Sequence, residues 1–202
     1  MKPLLMIGYF PETIELCERI GYTIFGIVDS EAPASKYRYI GNDEAVLKNA
    51  EQYRKTPVCI VPDQPVVRKK LYQLYTERGF HIETIISERA FVSASATIGE
   101  GCMIQDGCNV GANVNLGKCV RINTFGNVMH DSTIGNFVTV APNAVVLGRC
   151  SIDDEWYIGA NSTVLPNVKI NGTGGIVGAG AVVTKRIDAR MTVAGVPARE
   201  LK

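Results

Sequence analysis

Aliphatic residues recur at every sixth position over nearly half of the chain. Sixteen successive positions from residue 92 onward are each valine, isoleucine or leucine. They are Val92, Ile98, Ile104, Val110, Leu116, Ile122, Val128, Ile134, Val140, Val146, Ile152, Ile158, Val164, Ile170, Ile176 and Val182. Neither the 3.6-residue period of a helix nor the two-residue period of a long strand produces this spacing. The pattern predicts a structural repeat of six residues.

Each repeat also carries the marks of a short strand followed by a corner. The residue two before the aliphatic one is usually small, as at Ala96, Cys108 and Ser132, so two inward positions flank one outward residue. A glycine often comes next, as at Gly99 and Gly135, and we expect it to let the backbone bend sharply. Three such edges would close a triangular coil, and parallel coils would stack about 4.8 Å apart into a prism about 25 Å long. The aliphatic column would fill the interior of this prism.

The residues before the repeat follow a different pattern, in which strands and helices alternate. Apolar runs predict strands at 4–9, 22–28, 57–61 and 81–86, and helical spacing predicts helices at 12–20, 43–53 and 65–78. Such alternation is typical of a small Rossmann-like α/β domain with a parallel sheet. We therefore expect an α/β domain over 1–86 and a repeat domain over 87–202.

Ligands of parallel α/β sheets bind at the carboxyl ends of the strands. The candidate residues at those ends are Phe10, Pro11, Glu12, Asp29, Ser30 and Asp63. The first of these loops reads GYFPETIE and lacks the GxGxxG fingerprint, which argues strongly against a nicotinamide cofactor. A nucleotide could still bind there, with Asp29 accepting a hydrogen bond from a ribose or a base. The alternative is that Asp29 only caps a helix.

The charge balance gives no sign of a nucleic-acid partner. The chain has 21 Lys and Arg against 20 Asp and Glu, and its pI is about 7.6. The densest basic run, Arg68-Lys69-Lys70, is interpreted as the solvated side of a helix. The apolar stretch near the start is too short for a secretory signal or a membrane span, so we expect a cytoplasmic protein without membrane insertion.

The cysteines form no CxxC pair, and with two histidines the chain shows no zinc-ligand spacing. We expect free buried thiols in a reducing compartment, and no metal. The six cysteines are Cys17, Cys59, Cys102, Cys108, Cys119 and Cys150.

His130 is the strongest candidate for chemistry in the repeat region. It lies two residues after Val128, at an expected corner, so its side chain should point outward to solvent or to a neighbouring subunit. Asp131 follows directly and could hold the imidazole in one tautomer while favouring its protonated form. The other histidine, His81, lies outside the repeat and is expected to be structural.

Several stretches of the repeat region resemble the sugar acetyltransferases of the NeuD/PglD type. They are NVMHDSTIGNFVTVAPNAVVLG, IGANSTVLPNV, GAGAVVTK and the closing AGVPAREL. That group includes sialic acid O-acetyltransferases and N-acetyltransferases of nucleotide-linked amino sugars. The resemblance covers the whole chain and is strong from residue 90 onward. It implies a left-handed parallel β-helix, a hand that the spacing alone does not give, and a homotrimer with active sites between adjacent prisms.

The resemblance also implies roles for individual residues. The base falls on His130, its acid partner on Asp131, and the glycine whose amide faces the thioester oxygen on Gly148. Asn123 and Thr124 fall near the acceptor sugar. The positions implied for acetyl-CoA are Thr139, Gly148, Ala160, Ala179 and Lys185, of which Lys185 would meet a CoA phosphate.

Three places depart from the family pattern or from the repeat. Thr139 stands where some relatives carry a second histidine that touches the acetyl carbonyl, and its hydroxyl could substitute. Tyr9-Phe10-Pro11 replaces the family's usual glycine-rich first loop. Trp156 replaces the small residue of its repeat, which indicates a widened coil, a packing contact between subunits, or a wall of the cofactor channel.

The repeat, the His130–Asp131 pair and the resemblance together predict an acetyl-CoA-dependent N-acetyltransferase. Its acceptor would be a nucleotide-linked sugar of the 4-amino-4,6-dideoxy class, used in bacterial surface glycan synthesis. One alternative is an O-acetyltransferase of sialic acid or a similar hydroxyl. Another is an inert nucleotide-binding scaffold, against which the His130–Asp131 pair argues. A γ-class carbonic anhydrase would need three metal-binding histidines, and the repeat region offers one.

Overall fold

The computed structural model describes residues 2–201, which form a small α/β domain followed by a three-sided prism. The helices of the described chain are α1 (Pro11–Arg19), α2 (Asp43–Lys48), α3 (Ala50–Tyr53) and α4 (Pro65–Thr76). The first domain contains β1 (Lys2–Ile7), β2 (Tyr22–Val28), β3 (Tyr39–Gly41) and β4 (Val58–Ile60), all parallel, in the order β3-β2-β1-β4.

Burial on both faces explains why β1 is central in this sheet. Its residues Leu4, Leu5, Met6 and Ile7 are all buried, and β2 and β4 pair with its two edges. A strand covered on both faces reads as a continuous apolar run, which is how the sequence shows it. The short edge strand β3 carries no such run and was not predicted.

The predicted helix over 43–53 is wrong in one respect, because the structure has two short helices there. The first ends at Asn49, whose side-chain amide donates to the Ala45 carbonyl 2.9 Å away. Asparagine competes with the backbone for hydrogen bonds in this way, and the chain then restarts as α3.

The remaining strands stack in three parallel sets, which we call faces 1, 2 and 3. Face 1 contains β5 (Ile85–Ile86), β8 (Met103–Ile104), β11 (Arg121–Ile122), β14 (Thr139–Val140), β17 (Tyr157–Ile158), β20 (Ile176–Val177), β22 (Thr192–Ala194) and, antiparallel, β23 (Arg199–Glu200). Face 2 contains β6 (Phe91–Val92), β9 (Asn109–Val110), β12 (Asn127–Val128), β15 (Val145–Val146), β18 (Thr163–Val164) and β21 (Val182–Val183). Face 3 contains β7 (Thr97–Ile98), β10 (Asn115–Leu116), β13 (Thr133–Ile134), β16 (Ser151–Ile152) and β19 (Lys169–Ile170). The result is the left-handed parallel β-helix that the sequence predicts.

The predicted aliphatic column is confirmed as far as Ile170 and then shifts by one residue. Ile176 is 46% exposed, whereas Val177 is fully buried and pairs with Ile158. Val183 likewise replaces Val182 at the inward position and pairs with Val164. The prediction was therefore wrong for the last two members of the column, because one extra residue enters the loop after β19.

Trp156 explains why the loop after β19 is one residue longer than the other loops of the repeat. Its side chain is fully buried in the prism, and its indole N–H donates to the Gly172 carbonyl in the same loop. A Cβ on Gly175 would overlap the indole ring, so the chain can pass only with a glycine there. Of the three interpretations of Trp156, the widened coil is the one that the structure supports.

The glycines after the aliphatic positions have a different role from the expected one. The backbone turns through positive φ two residues later, for example at Asn113 and Asn161. At Gly135, a Cβ would lie 2.6 Å from the Asp154 amide nitrogen of the next coil, and at Gly159, 2.5 Å from the Val177 carbonyl. These glycines are needed because adjacent coils approach closely, not because the chain bends at them.

The first domain covers face 1 of the prism. The outward side chains of Ile85, Met103, Arg121 and Thr139 are buried on this face. Strand β5 pairs with β8, so it belongs to the prism and not, as the sequence suggested, to the first sheet. Only Ile82 bridges back to that sheet, at Val58 of β4.

The interpretation of Arg68-Lys69-Lys70 as a solvated helix face was wrong for Arg68. Arg68 is 2% exposed and donates hydrogen bonds to carbonyls of both domains. Lys69 pairs with Glu155 of the prism at 2.6 Å. Charge patterns alone do not show which side of a helix a second domain will cover.

Candidate active site

His130 lies at a corner of the prism with its side chain about half exposed. Its Nδ1 is 2.8 Å from Oδ2 of Asp131, and Asn113 of the preceding coil donates to the other carboxylate oxygen at 3.0 Å. The hydrogen bond from Asn113, followed by that from His130, lowers the pKa of Asp131. An ionised Asp131 accepts a hydrogen bond from Nδ1–H, which leaves Nε2 as the acceptor of the neutral ring.

Gly148 lies against the imidazole, one coil further along. A Cβ at this position would be 2.7 Å from both Nε2 and Cε1 of His130, so the ring occupies the space that a side chain would need. The Gly148 carbonyl accepts from the Asn167 amide at 3.0 Å, and its own N–H has no partner within residues 2–201. The arrangement places one base nitrogen against the backbone of a residue whose amide is an unpaired donor.

The sequence predicts an outward His130 with Asp131 as its partner, and the family resemblance implies Gly148. The structure places these three residues together. His130 points outward as expected, and Asp131 is the partner that holds it. A neutral imidazole nitrogen beside an unpaired amide can accept a proton from a nucleophile while the amide donates to a developing oxyanion.

A cleft of about 520 Å³ lies between the first domain and the prism. The predicted substrate residues that line it are Phe10, Glu12, Asp29, Asp63, Asn123 and Thr124. Pro11 and Ser30 lie beside it without lining it. The sequence missed Arg121, Gln105 and Pro142, which complete the lining on the prism side.

The floor of the cleft is a partly buried polar network centred on Asp63. Asn123 donates to its Oδ1 at 2.9 Å, the Tyr157 hydroxyl donates to its Oδ2 at 3.2 Å, and the Arg121 Nε lies 3.4 Å from Oδ1. Burial lowers the pKa of Arg121, and the charge of Asp63 opposes this shift. Burial raises the pKa of Tyr157, and the charge of Asp63 raises it further. Because Asp63 and Arg121 come from different domains, neither could be linked to the other by sequence spacing.

The two other carboxylates of the cleft, Asp29 and Glu12, differ in the hydrogen bonds that they accept. Asp29 accepts from the Tyr9 amide at 2.9 Å and from the Ser30 amide at 2.7 Å. Asp29 therefore connects the ends of β1 and β2 while it faces the cleft. The alternative, that Asp29 only caps a helix, is not what the structure shows. Glu12 forms no hydrogen bond or ion pair within the described residues.

Thr139 does not lie where the resemblance would put a contact with the acetyl group. Its side chain is fully buried on face 1, where Oγ1 donates to the Asp63 carbonyl at 2.8 Å and accepts from Arg68 at 3.0 Å. The first domain covers the position that a cofactor would need. The prediction that Thr139 binds acetyl-CoA is therefore corrected.

Two corners of the prism carry the remaining predicted residues. Corner 1–2, between faces 1 and 2, stacks Thr124, Pro142, Ala160 and Ala179, each linked to the next coil through its carbonyl except the last. Corner 2–3, between faces 2 and 3, stacks His130 and Gly148, with Lys185 exposed further along. One face of the prism separates the two corners, so a single chain does not bring the cleft and His130 together.

Two features are absent from residues 2–201. No group of three or more His, Cys, Asp or Glu side chains is placed to hold a metal ion. No helix in this part of the chain is long and apolar enough to cross a membrane. The cysteines are all buried and free.

Known proteins of similar structure match the chain over its whole length. PerB from Caulobacter crescentus, solved in complex with CoA and GDP-perosamine, has a TM-score of 0.91 and 28% identity, covering 100% of this chain and 98% of its own. The acetyltransferase domain of PglB from Neisseria gonorrhoeae, in complex with acetyl coenzyme A, has a TM-score of 0.91 and 29% identity over 99% of each chain.

Curated relatives match over shorter stretches. A GDP-perosamine N-acetyltransferase of Escherichia coli O157:H7 is 36% identical over 84 residues, which is 40% of this chain and 38% of the relative. Across the curated relatives, which also include 2,3,4,5-tetrahydropyridine-2,6-dicarboxylate N-acetyltransferases, the matched stretch spans between 21% and 38% of the relative's length. No protein-family model matches the chain. The resemblance to hexapeptide-repeat sugar acetyltransferases that the sequence indicates is confirmed, because the similar solved structures share this architecture and are sugar acetyltransferases.

Proposed function

We propose that this protein transfers an acetyl group from acetyl-CoA to the amine of a nucleotide-linked amino sugar. The observation that carries the proposal is the geometry at corner 2–3. There Asp131 engages Nδ1 of His130, Nε2 remains free, and Gly148 presents an unpaired amide against the same ring. The complexes of the similar proteins with CoA, acetyl-CoA and GDP-perosamine support the choice of both substrates.

The reaction would be a direct transfer with two substrates bound together. The acceptor nitrogen attacks the acetyl carbonyl, and Nε2 of His130 takes the proton that the nitrogen loses. The Gly148 amide donates to the oxyanion of the tetrahedral intermediate. As the intermediate collapses, the C–S bond breaks and the CoA thiolate takes up the proton from the imidazolium. A base positioned in this way typically contributes about 10²–10⁴-fold.

The cleft between the domains is the proposed site of the nucleotide. Asp29 lies at the end of β2, where acidic residues of Rossmann-like folds accept from a ribose hydroxyl. Phe10 is 43% exposed at the rim and offers an aromatic face to a base. The amino sugar, which we propose to be of the 4-amino-4,6-dideoxy class, would extend past Asn123 and Thr124 towards a catalytic histidine.

That histidine would come from a neighbouring chain. Thr124 and His130 occupy different corners of one prism, so a cleft and a base meet if corner 1–2 of one chain faces corner 2–3 of the next. Three prisms around a threefold axis satisfy this condition at each contact. We therefore propose a homotrimer with three equivalent sites.

The proposed path of acetyl-CoA runs between the same two corners. Ala160 and Ala179 lie in successive coils of corner 1–2, where small side chains leave room for a pantetheine arm. Lys185 lies exposed on corner 2–3 and could pair with a phosphate. The buried free thiols suit a reducing compartment, and we propose cytoplasmic synthesis of a bacterial surface glycan such as O-antigen or capsule.

A thiol-release assay tests the proposal directly. Purified protein is mixed with acetyl-CoA and a panel of GDP-, UDP- and dTDP-linked 4-amino sugars, with matched 4-hydroxy sugars and free sialic acid as controls. We expect release of CoA with at least one amino sugar and none with its hydroxyl counterpart. Release with hydroxyl acceptors alone would favour O-acetylation, and release with no acceptor would contradict both.

A further inference from the structure

A single side chain of the first domain, that of Arg68, contacts the prism through two of its three nitrogens. Nε of Arg68 donates to the Cys119 carbonyl at 2.8 Å, and Nη2 donates to the Phe137 carbonyl at 2.7 Å. Its third nitrogen, Nη1, turns back and donates to the Asp63 carbonyl at 2.8 Å. The planar guanidinium thus joins two successive coils at one corner of the prism, between faces 3 and 1, to the loop between β4 and α4.

Thr139 completes the connection from the prism side. Its hydroxyl accepts from Nη2 of Arg68 at 3.0 Å and donates to the same Asp63 carbonyl at 2.8 Å. The carbonyl of Asp63 therefore accepts two hydrogen bonds, one from each domain. Both side chains are almost completely buried, so water cannot replace either bond.

We infer that the Arg68–Thr139 bridge positions Asp63, and through it sets the shape of the nucleotide cleft. The main chain of Asp63 is held by the bridge, while its side chain holds Asn123 and Tyr157 on the cleft floor. Neither Arg68 nor Thr139 lines the cleft, so both act through Asp63 as positioning residues. This inference rests on the proposed function and adds two residues that determine acceptor affinity.

Arg68 supplies the charged hydrogen-bond donors of this bridge. Burial lowers its pKa to about 10, so the guanidinium stays protonated at neutral pH. No carboxylate within the described residues forms an ion pair with it, and its donors go to carbonyls and one hydroxyl instead. An arginine that only stabilised the fold could be replaced by an apolar side chain of similar volume. An arginine that fixes the position of the Asp63 carbonyl could not, because its hydrogen bond to that carbonyl would be lost.

Three variants separate positioning from bulk stability. Thr139→Val keeps the shape of the side chain and removes the hydroxyl, Thr139→Ser keeps the hydroxyl, and Arg68→Met removes the guanidinium. Lys69→Met serves as the control, because Lys69 is the next basic residue of α4 and pairs with Glu155 away from the cleft. Calorimetry measures the affinity of the full-length protein for GDP, UDP or dTDP, whichever binds the wild type most tightly, and for CoA.

We expect Thr139→Val to weaken nucleotide binding by about three- to tenfold and Arg68→Met by more than about tenfold. Thr139→Ser and Lys69→Met should stay within about twofold, and CoA affinity should be unchanged in all four. Hydrogen exchange of the segment 61–68 should rise in the first two variants only. If Arg68→Met fails to fold, the two Thr139 variants decide the matter.

Unchanged nucleotide affinity in Thr139→Val, or an equal loss of nucleotide and CoA affinity, would overturn the inference. A wild type that binds CoA but none of the three nucleotides would contradict the proposed acceptor instead. In that case hydrogen exchange alone tests the positioning role of the Arg68–Thr139 bridge. Faster exchange at 61–68 in Thr139→Val but not in Thr139→Ser supports this role, and equal exchange in the two variants overturns it.

Discussion

The prism and the first domain are stabilised in different ways, and they contribute different parts of the proposed site. Inside the prism, one aliphatic side chain is buried per repeat, from Val110 to Ile170, each at most 2% exposed. Each such burial is worth about 1.5–3 kcal/mol. The contact between the two domains combines apolar packing with two buried arginines, Arg68 and Arg121, whose donors bind specific carbonyls and side chains.

This difference has a functional counterpart. The prism positions His130 and Gly148 by a backbone that repeats at every coil, so the proposed catalytic geometry follows from regular stacking. The proposed acceptor cleft lies where an irregular domain meets that regular surface, and its lining comes from both. Substitutions in the prism's corner should therefore change turnover, whereas substitutions in the first domain should change acceptor affinity.

The largest expected effect is the loss of the prism itself. Ile134→Asp buries an unpaired charge in the aliphatic column, several kcal/mol unfavourable, and should prevent folding. Thr133→Asp is the matched control, because the adjacent Thr133 is exposed on the same strand. Circular dichroism and thermal melting measure the outcome. A soluble Ile134→Asp variant with a cooperative melt would show that the column is not the core.

Replacing the proposed base should remove turnover while the fold survives. We expect His130→Asn to lower kcat by at least about a hundredfold, with the melting temperature and CoA affinity unchanged. His81→Asn is the control, since His81 is 62% exposed and remote from corner 2–3. Turnover in His130→Asn equal to that of the wild type would exclude His130 as the base.

A smaller effect is expected when the imidazole is displaced and not removed. Gly148→Ala places a Cβ 2.7 Å from the His130 ring, so the ring must move by a few tenths of an ångström or more. We expect kcat to fall by about ten- to a hundredfold, with the acceptor KM little changed. Steady-state kinetics with both substrates varied would measure this. An acceptor KM that rises as much as kcat falls would place Gly148 in the acceptor site instead.

The smallest effect should come from the first domain. Asp29→Ala removes the carboxylate that holds the Tyr9 amide and faces the cleft, and should raise the acceptor KM by about three- to tenfold at constant kcat. Glu31→Ala, two residues further along the chain and exposed, is the control. If Asp29→Ala lowered kcat and left KM unchanged, the division of roles between the two regions would be wrong.

Much of the site's prism half could be predicted, because its residues are close in sequence or repeat at a fixed interval. His130 and Asp131 are neighbours in the chain, and Gly148 follows His130 by one coil. The same regularity also misled at one point: the periodic column continued through Ile176, where Trp156 and its loop shift the register. A period read from sequence does not show an insertion when aliphatic residues occupy both the shifted and the unshifted positions.

What the sequence determined by itself is the six-residue period, and with it the prism, its interior column and the outward direction of His130. Each of these depends on contacts between a residue and its equivalents in adjacent coils. Only the tertiary structure decided that the first domain covers face 1, that Arg68 and Arg121 are buried there, and that Thr139 is closed off from any cofactor. Those facts depend on contacts between residues more than fifty positions apart, such as Arg68 with Cys119. No local pattern records such contacts, because the hydrogen bonds that fix them involve backbone carbonyls, which every residue has.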